Sequence, residues 1–125
     1  MYQQKTTIGI VDDDKDFRET LGELLSSIGY RTELFSSASE LVRTADTTQA
    51  ACLLVDLHLP DMTGLELARR LSATGHTVPI VFMTGAHDVD LHDQVWKLGC
   101  AGLLQKPFFP SELLETLSRA ATRDS

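Results

Sequence analysis

The chain reads as an α/β fold: one five-stranded parallel sheet, doubly wound, flanked by five helices. Three observations predict this. Strand-like and helix-like segments alternate five times along 125 residues. Several strand segments are apolar throughout, as in Leu53-Leu54-Val55, which is the composition of strands covered on both faces. Two of them run straight into carboxylates, at Asp12-Asp13-Asp14 and at Asp56. In an open parallel sheet, sites collect outside the carboxyl ends of the strands, where these acids would lie.

Each element has its own justification. Thr7 to Val11 is a short β-rich run, followed by a helix whose apolar residues Phe17, Leu21, Leu24, Leu25 and Ile28 share one face. Gly29 stops it. Arg31 to Phe35 alternates and is more polar, which suits an edge of the sheet. Ser37, with Glu40 three residues on, has the capping-box pattern and opens a helix carrying Leu41 and Val42. Ala51 to Val55 is the third strand. The loop from Asp56 to Gly64 leads into a helix with Leu65, Leu67, Ala68 and Leu71, ended near Gly75. Pro79 to Met83 forms the fourth strand, closed by Thr84-Gly85. A helix from about Asp88 to Leu98 holds Val89, Val95, Trp96 and Leu98. Ala101 to Leu104 is the fifth strand. Pro110, well placed in a first helical turn, begins a helix with Leu113, Leu114 and Leu117.

One domain is expected over residues 1–125, with an ordered core from about 6 to 120 and a frayed tail over 121–125. Apolar content of 42% is that of an ordinary globular protein. A net charge of -7 with no Lys/Arg run argues against direct nucleic-acid contact, which needs clustered cations. No apolar stretch approaches the roughly 20 residues of a membrane span, and the polar N-terminus lacks a signal-peptide core. The expected location is therefore cytoplasmic. Cys52 and Cys100 share no CxxC spacing and lie in or beside apolar strands, so both are read as buried thiols.

The strand ends make a chemical set. Strand one ends at Asp12-Asp13-Asp14, strand three at Asp56, strand four at Thr84 and strand five at Lys106-Pro107. Two unit charges about 4 Å apart repel by roughly 4 kcal/mol at an effective dielectric near 20, so gathered carboxylates call for a divalent cation. Acid pair, acid, hydroxyl and amine together suit a phosphoryl group bound with a metal.

With this set in place, the chain closely resembles the receiver domain of two-component response regulators, over about Thr6 to Ala120. The matching stretches are Ile10-Val11-Asp12-Asp13-Asp14, Val55-Asp56-Leu57-His58-Leu59-Pro60-Asp61-Met62-Thr63-Gly64, Met83-Thr84-Gly85 and Gln105-Lys106-Pro107-Phe108. The gaps fit as well, with Thr84 lying 28 residues after Asp56 and Lys106 lying 22 after Thr84. The resemblance implies the flavodoxin-like (βα)5 form of the fold. It implies that Asp56 accepts a phosphoryl group from the phosphohistidine of a sensor histidine kinase or a histidine phosphotransfer domain. Asp13 and Asp56 would ligate Mg²⁺ (or Mn²⁺) with the backbone carbonyl of His58, and Asp12 would act mostly through bound water. Thr84 and Lys106 would contact the phosphoryl oxygens, and a cis Lys106-Pro107 bond is the family's habit. Phosphorylation would then switch the face made by helix four, strand five and helix five, in some members promoting a homodimer.

The sequence departs from the family pattern at Leu103. Three residues before the lysine, the family commonly has Tyr or Phe, whose ring changes rotamer in the switch. Leucine can fill the pocket without swinging a plane. His58 and Ala86 flank the site and would tune the lifetime of the phosphoryl group in a direction that stays open.

Plainer roles are expected elsewhere. Asp14 is read as an N-cap or loop acid, Asp61 as a cap or turn residue after Pro60, and Gly64 as backbone permissiveness at a tight helix entrance. His76, His87 and His92 are read as surface residues. Trp96 is read as packing among Val95 and Leu98, although its place on helix four puts it near the face that the resemblance makes the output. Two rival functions are weighed. A phosphatase using Asp12 and Asp14 as a DxD motif lacks a hydroxyl residue in Lys15-Asp16-Phe17 and leaves Asp56 unexplained. A pseudo-receiver that only binds proteins has Leu103 in its favour, against a full set of chemical positions. After helix five no output segment is visible. The chain thus reads either as a stand-alone regulator or as the receiver of a longer one, and the Met1 start favours a native N-terminus.

Overall fold

The computed structural model describes residues 6–45, 48–85 and 89–122. Five strands, β1 (Thr7–Val11), β2 (Arg31–Phe35), β3 (Cys52–Asp56), β4 (Ile80–Thr84) and β5 (Gly102–Gln105), alternate with five helices. These are α1 (Lys15–Ser27), α2 (Ala38–Thr44), α3 (Gly64–Ala73), α4 (Val89–Lys97) and α5 (Pro110–Thr122). Every strand pair is parallel, in the order β2-β1-β3-β4-β5. The polar β2 is an edge strand, as its composition demands, and Leu34 lies exposed on it.

Strand side chains alternate between two apolar layers. Ile8, Ile10, Cys52, Leu54, Val81 and Met83 pack with Leu21 and Leu25 of α1 and Leu113 and Leu117 of α5. On the opposite face Val11, Leu53, Val55 and Phe82 pack with Leu41 of α2, Leu67 and Leu71 of α3 and Val95 of α4. Cys52 and Cys100 are both free and buried, and burial pushes the Cys52 thiol up to about 12, so it stays protonated.

The chain's stops and caps are local chemistry. Gly29, at φ 108°, supplies the left-handed turn after α1 that a side chain would resist. Asp14 caps α1, accepting the Phe17 N–H at 3.1 Å. Thr63 and Glu66 form a reciprocal capping box at α3. At α2 the box is split: Ser37 accepts the Glu40 N–H, while the Glu40 carboxylate takes the N–H of Ser36 one residue upstream.

Three expectations are adjusted. Helix α5 continues through Thr122, so Ala121 and Thr122 belong to the helix rather than to a frayed tail. Trp96 is 54% exposed instead of packed into the core. The Nε2 of His92 is buried rather than at the surface. Ala86 and His87 lie outside the described residues.

Candidate functional site

The topology puts four strand ends side by side. β1 pairs with β2 on one flank and β3 on the other, so the winding direction reverses between β1 and β3 and opens a crevice at their carboxyl ends. Val11 is in register with Val55, and the next residues along are Asp12 and Asp56. Thr84 ends β4, in register with Gln105 of β5, and Lys106 follows. The Lys106 N–H donates to the Thr84 carbonyl at 2.7 Å, which fixes where the lysine leaves the sheet. The Lys106-Pro107 bond is cis.

Asp12 is fully buried, and its two oxygens are used separately. Oδ1 accepts the Asp14 N–H at 2.9 Å, and Oδ2 accepts the Lys106 ammonium at 2.8 Å. Asp56 has a side chain only 14% exposed. Its Oδ1 accepts the His58 N–H at 3.0 Å and its Oδ2 accepts Lys106 at 3.3 Å. Burial raises the Asp56 carboxyl above the ordinary carboxylate value, opposed by the His58 N–H and the Lys106 charge and reinforced by Asp12. Burial pulls Lys106 down, but its bond to Asp12 and the charge of Asp56 more than offset this, leaving its pKa raised and the amine protonated.

Oxygens of Asp12, Asp13 and Asp56 lie within 4.8 Å of one another. Asp13 is the exposed member, so the cluster opens to solvent on one side. An all-oxygen set of this charge suits a hard divalent cation that keeps part of its water shell. One lysine among three acids leaves net negative charge for such an ion to neutralise. Thr84 is fully buried at the floor, its hydroxyl donating to the Gly85 carbonyl at 3.2 Å. Leu103 is half-buried and packs against the layer that holds Phe82 and Val95.

Two participants escaped the sequence reading, Arg18 and the Phe17 ring, and two others, Asp61 and Gly64, act differently from what it expected. The Arg18 guanidinium donates to the Asp12 carbonyl at 2.7 Å, bracing the end of β1 from α1. The Phe17 ring lies under Lys106, 4.2 Å from ring centroid to ammonium. Asp61 is a capping acid as expected, yet it caps a different helix: its carboxylate accepts the N–H of Ala38 and Ser39 and the Ser39 hydroxyl at the start of α2. At Gly64 it is space that is tight, and its φ is not positive. A Cβ there would sit 3.1 Å from the Asp56 carbonyl, the Leu57 Cα and the Phe82 ring.

Residues 8–118 match the family model of the response regulator receiver domain. The chain belongs to that family. This receiver domain is 35% identical to the response regulator protein TmoT of Ectopseudomonas mendocina over 96% of its own length and 54% of TmoT. It is 31% identical to the transcriptional regulatory protein FixJ of Rhizobium meliloti over 92% of its length and 56% of FixJ. The receiver domain thus spans about half the length of these curated relatives. In three dimensions it is similar to the crystal structure of FixJ-N, with a TM-score of 0.89 at 31% identity and 95% of both chains covered. It is likewise similar to the response regulator StyR, at 0.87 and 34% identity over 97% of this chain and 61% of that one. It is a phosphorylatable receiver of two-component signalling, a signalling domain. Among the described residues no helix is long and apolar enough to cross a membrane.

Proposed function

We propose that Asp56 is the phosphoryl acceptor, and that the donor is the phosphohistidine of a sensor histidine kinase or a histidine phosphotransfer domain. The observation that carries this is the placement of one largely shielded carboxylate between a buried acid, an exposed acid and a lysine ammonium. In the transfer, an Asp56 carboxylate oxygen forms the new O–P bond as the donor's N–P bond breaks. The electron pair of that bond returns to the imidazole. Asp56 is held for attack by the His58 N–H on one oxygen, which leaves its approach set by the strand end rather than by a free rotamer.

Asp12, Asp13 and Asp56, with the His58 carbonyl, would hold Mg²⁺ or Mn²⁺. The bound ion neutralises charge on the phosphoryl oxygens and relieves repulsion among the acids. Lys106 supplies an ammonium to the phosphoryl group, exchanging its contact with Asp56 for one with a phosphoryl oxygen. Thr84 turns its hydroxyl toward the same group. Because Lys106 is tied to Thr84 through the backbone, the two respond together. The response passes to the face of α4, β5 and α5 through Leu103, which lies opposite Phe82 in the β4–β5 ladder. That face governs a downstream output and offers a surface for a phosphorylation-dependent homodimer.

The test is chemical trapping. After incubation with acetyl phosphate and Mg²⁺, borohydride reduces an aspartyl phosphate to homoserine. Peptide mapping that finds homoserine at position 56 supports the assignment. Homoserine at another acid overturns it.

A further inference from the structure

Lys106 is held on three sides, and one of them is not a carboxylate. Its ammonium lies 2.8 Å from Asp12 Oδ2, 3.3 Å from Asp56 Oδ2 and 4.2 Å from the centroid of the Phe17 ring. An ammonium has three N–H donors, so two carboxylate contacts leave one, and the negative face of an aromatic ring attracts the cation from that side. The ring is itself supported. Phe108 meets Phe17 edge-on, with centroids 6.2 Å apart and planes at 83°. Both rings pack on the layer between the sheet and helices α1 and α5. Phe17 comes from the first turn of α1 and Phe108 from just beyond Pro107. The aromatic pair therefore links the segment after β1 to the segment after β5 at the point where the lysine crosses the site.

We propose that Phe17 is a positioning residue for phosphoryl transfer, its ring keeping the Lys106 ammonium over the Asp12–Asp56 pair, where it meets the incoming phosphoryl group. This rests on Asp56 being the acceptor. A lysine is a point charge on a flexible four-carbon stem, and the Lys106 side chain is 27% exposed, so water competes for it. A hydrogen bond to one carboxylate oxygen is directional, whereas attraction to a ring face is not. The ammonium can thus move from an Asp56 oxygen to a phosphoryl oxygen without leaving the ring. Phe17 touches no reacting atom and acts through Lys106 alone. Its place in the apolar stripe of α1 explains why it also reads as core.

Phe17→Leu removes the ring face while keeping an apolar side chain, and Phe17→Tyr restores the face. Acetyl phosphate is the donor, because it has no protein surface and a docking defect cannot enter. With Mg²⁺ saturating, the phosphorylation rate constant of Phe17→Leu is expected to fall about 3- to 10-fold, and that of Phe17→Tyr to stay within about twofold of wild type. Independently, NMR of the donor-free protein should show the Lys106 ε-methylene protons shifted upfield by the ring current. That shift should be lost in Phe17→Leu and kept in Phe17→Tyr. Phosphorylation of Phe17→Leu at the rate of a reactive wild type would overturn the proposal, as would ε-methylene shifts identical in the two proteins. A wild-type domain that takes up no phosphoryl group overturns the acceptor assignment itself, a result distinct from either of these.

Discussion

Asp56 ends its strand with its carboxylate largely shielded from water, and that shielding has a cost the fold must carry when no cation is bound. Burial raises its pKa above the ordinary 3.8, and the His58 N–H and Lys106 only partly restore it. A group whose folded pKa is raised contributes most below its unfolded pKa, and that contribution is lost as pH rises through the folded value. Ionised Asp56 therefore weighs against the metal-free fold at neutral pH. In EDTA at pH 7.5, Asp56→Asn should melt at a higher temperature than wild type by circular dichroism, and the gap should close as pH falls toward 4. A variant that melts lower at pH 7.5 contradicts this. The placement of Asp12, Asp13, Asp56, Thr84 and Lys106 at one sheet edge was legible because each lies at or just past a strand end, the first two sharing β1. Phe17 was not, because a ring in a helical apolar stripe is indistinguishable from core until its other face is seen. Nor was Arg18, since nothing in a helix's first turn marks which carbonyl an arginine will reach.

Helix α2 shows what element-level patterns capture and what they leave to tertiary contact. Ser37 and Glu40 announce a helix start, and the helix does begin there, yet half of the expected box goes to Ser36. The N–H groups of Ala38 and Ser39 in the first turn of α2 are taken by Asp61, from the loop that follows Asp56. A contact between residues 22 and 23 positions apart has no local signature. Asp61→Ala should destabilise the domain by about 0.5–1 kcal/mol in urea denaturation, the scale of a solvent-screened helix cap. The Ser39 hydroxyl, ahead of the two backbone N–H groups, holds the Asp61 carboxyl below the ordinary value. A lowered pKa gives stabilisation that is full above the unfolded value and lost as pH falls through the folded one. The penalty of Asp61→Ala should thus be full at pH 7 and shrink below about pH 4; an equal penalty at both contradicts the cap. Strand starts and ends, by contrast, shifted by one residue at most, because uninterrupted apolar runs in a parallel sheet leave little freedom of register.

For the whole molecule, alternation of strand and helix settled the parallel sheet, and the polarity of Arg31 to Phe35 settled one edge. What composition could not reveal is the crowding at the sheet's carboxyl edge, where a Cβ on Gly64 would come within 3.1 Å of the Asp56 carbonyl, the Leu57 Cα and the Phe82 ring. Three acids facing one lysine should make the fold respond to a divalent cation. Mg²⁺ at ten times its Kd should stabilise the domain by about 1.4 kcal/mol, a rise of several degrees in Tm. Asp56→Asn should blunt that rise, whereas an equal rise in variant and wild type would place the ion elsewhere. The phosphoryl switch itself is read most directly by intact mass after incubation with acetyl phosphate and Mg²⁺, run beside Asp56→Asn and an EDTA control. The expected result is a gain of one phosphoryl group in the wild type alone, absent from the variant and without metal. A gain of the same size in Asp56→Asn would contradict Asp56 as the acceptor.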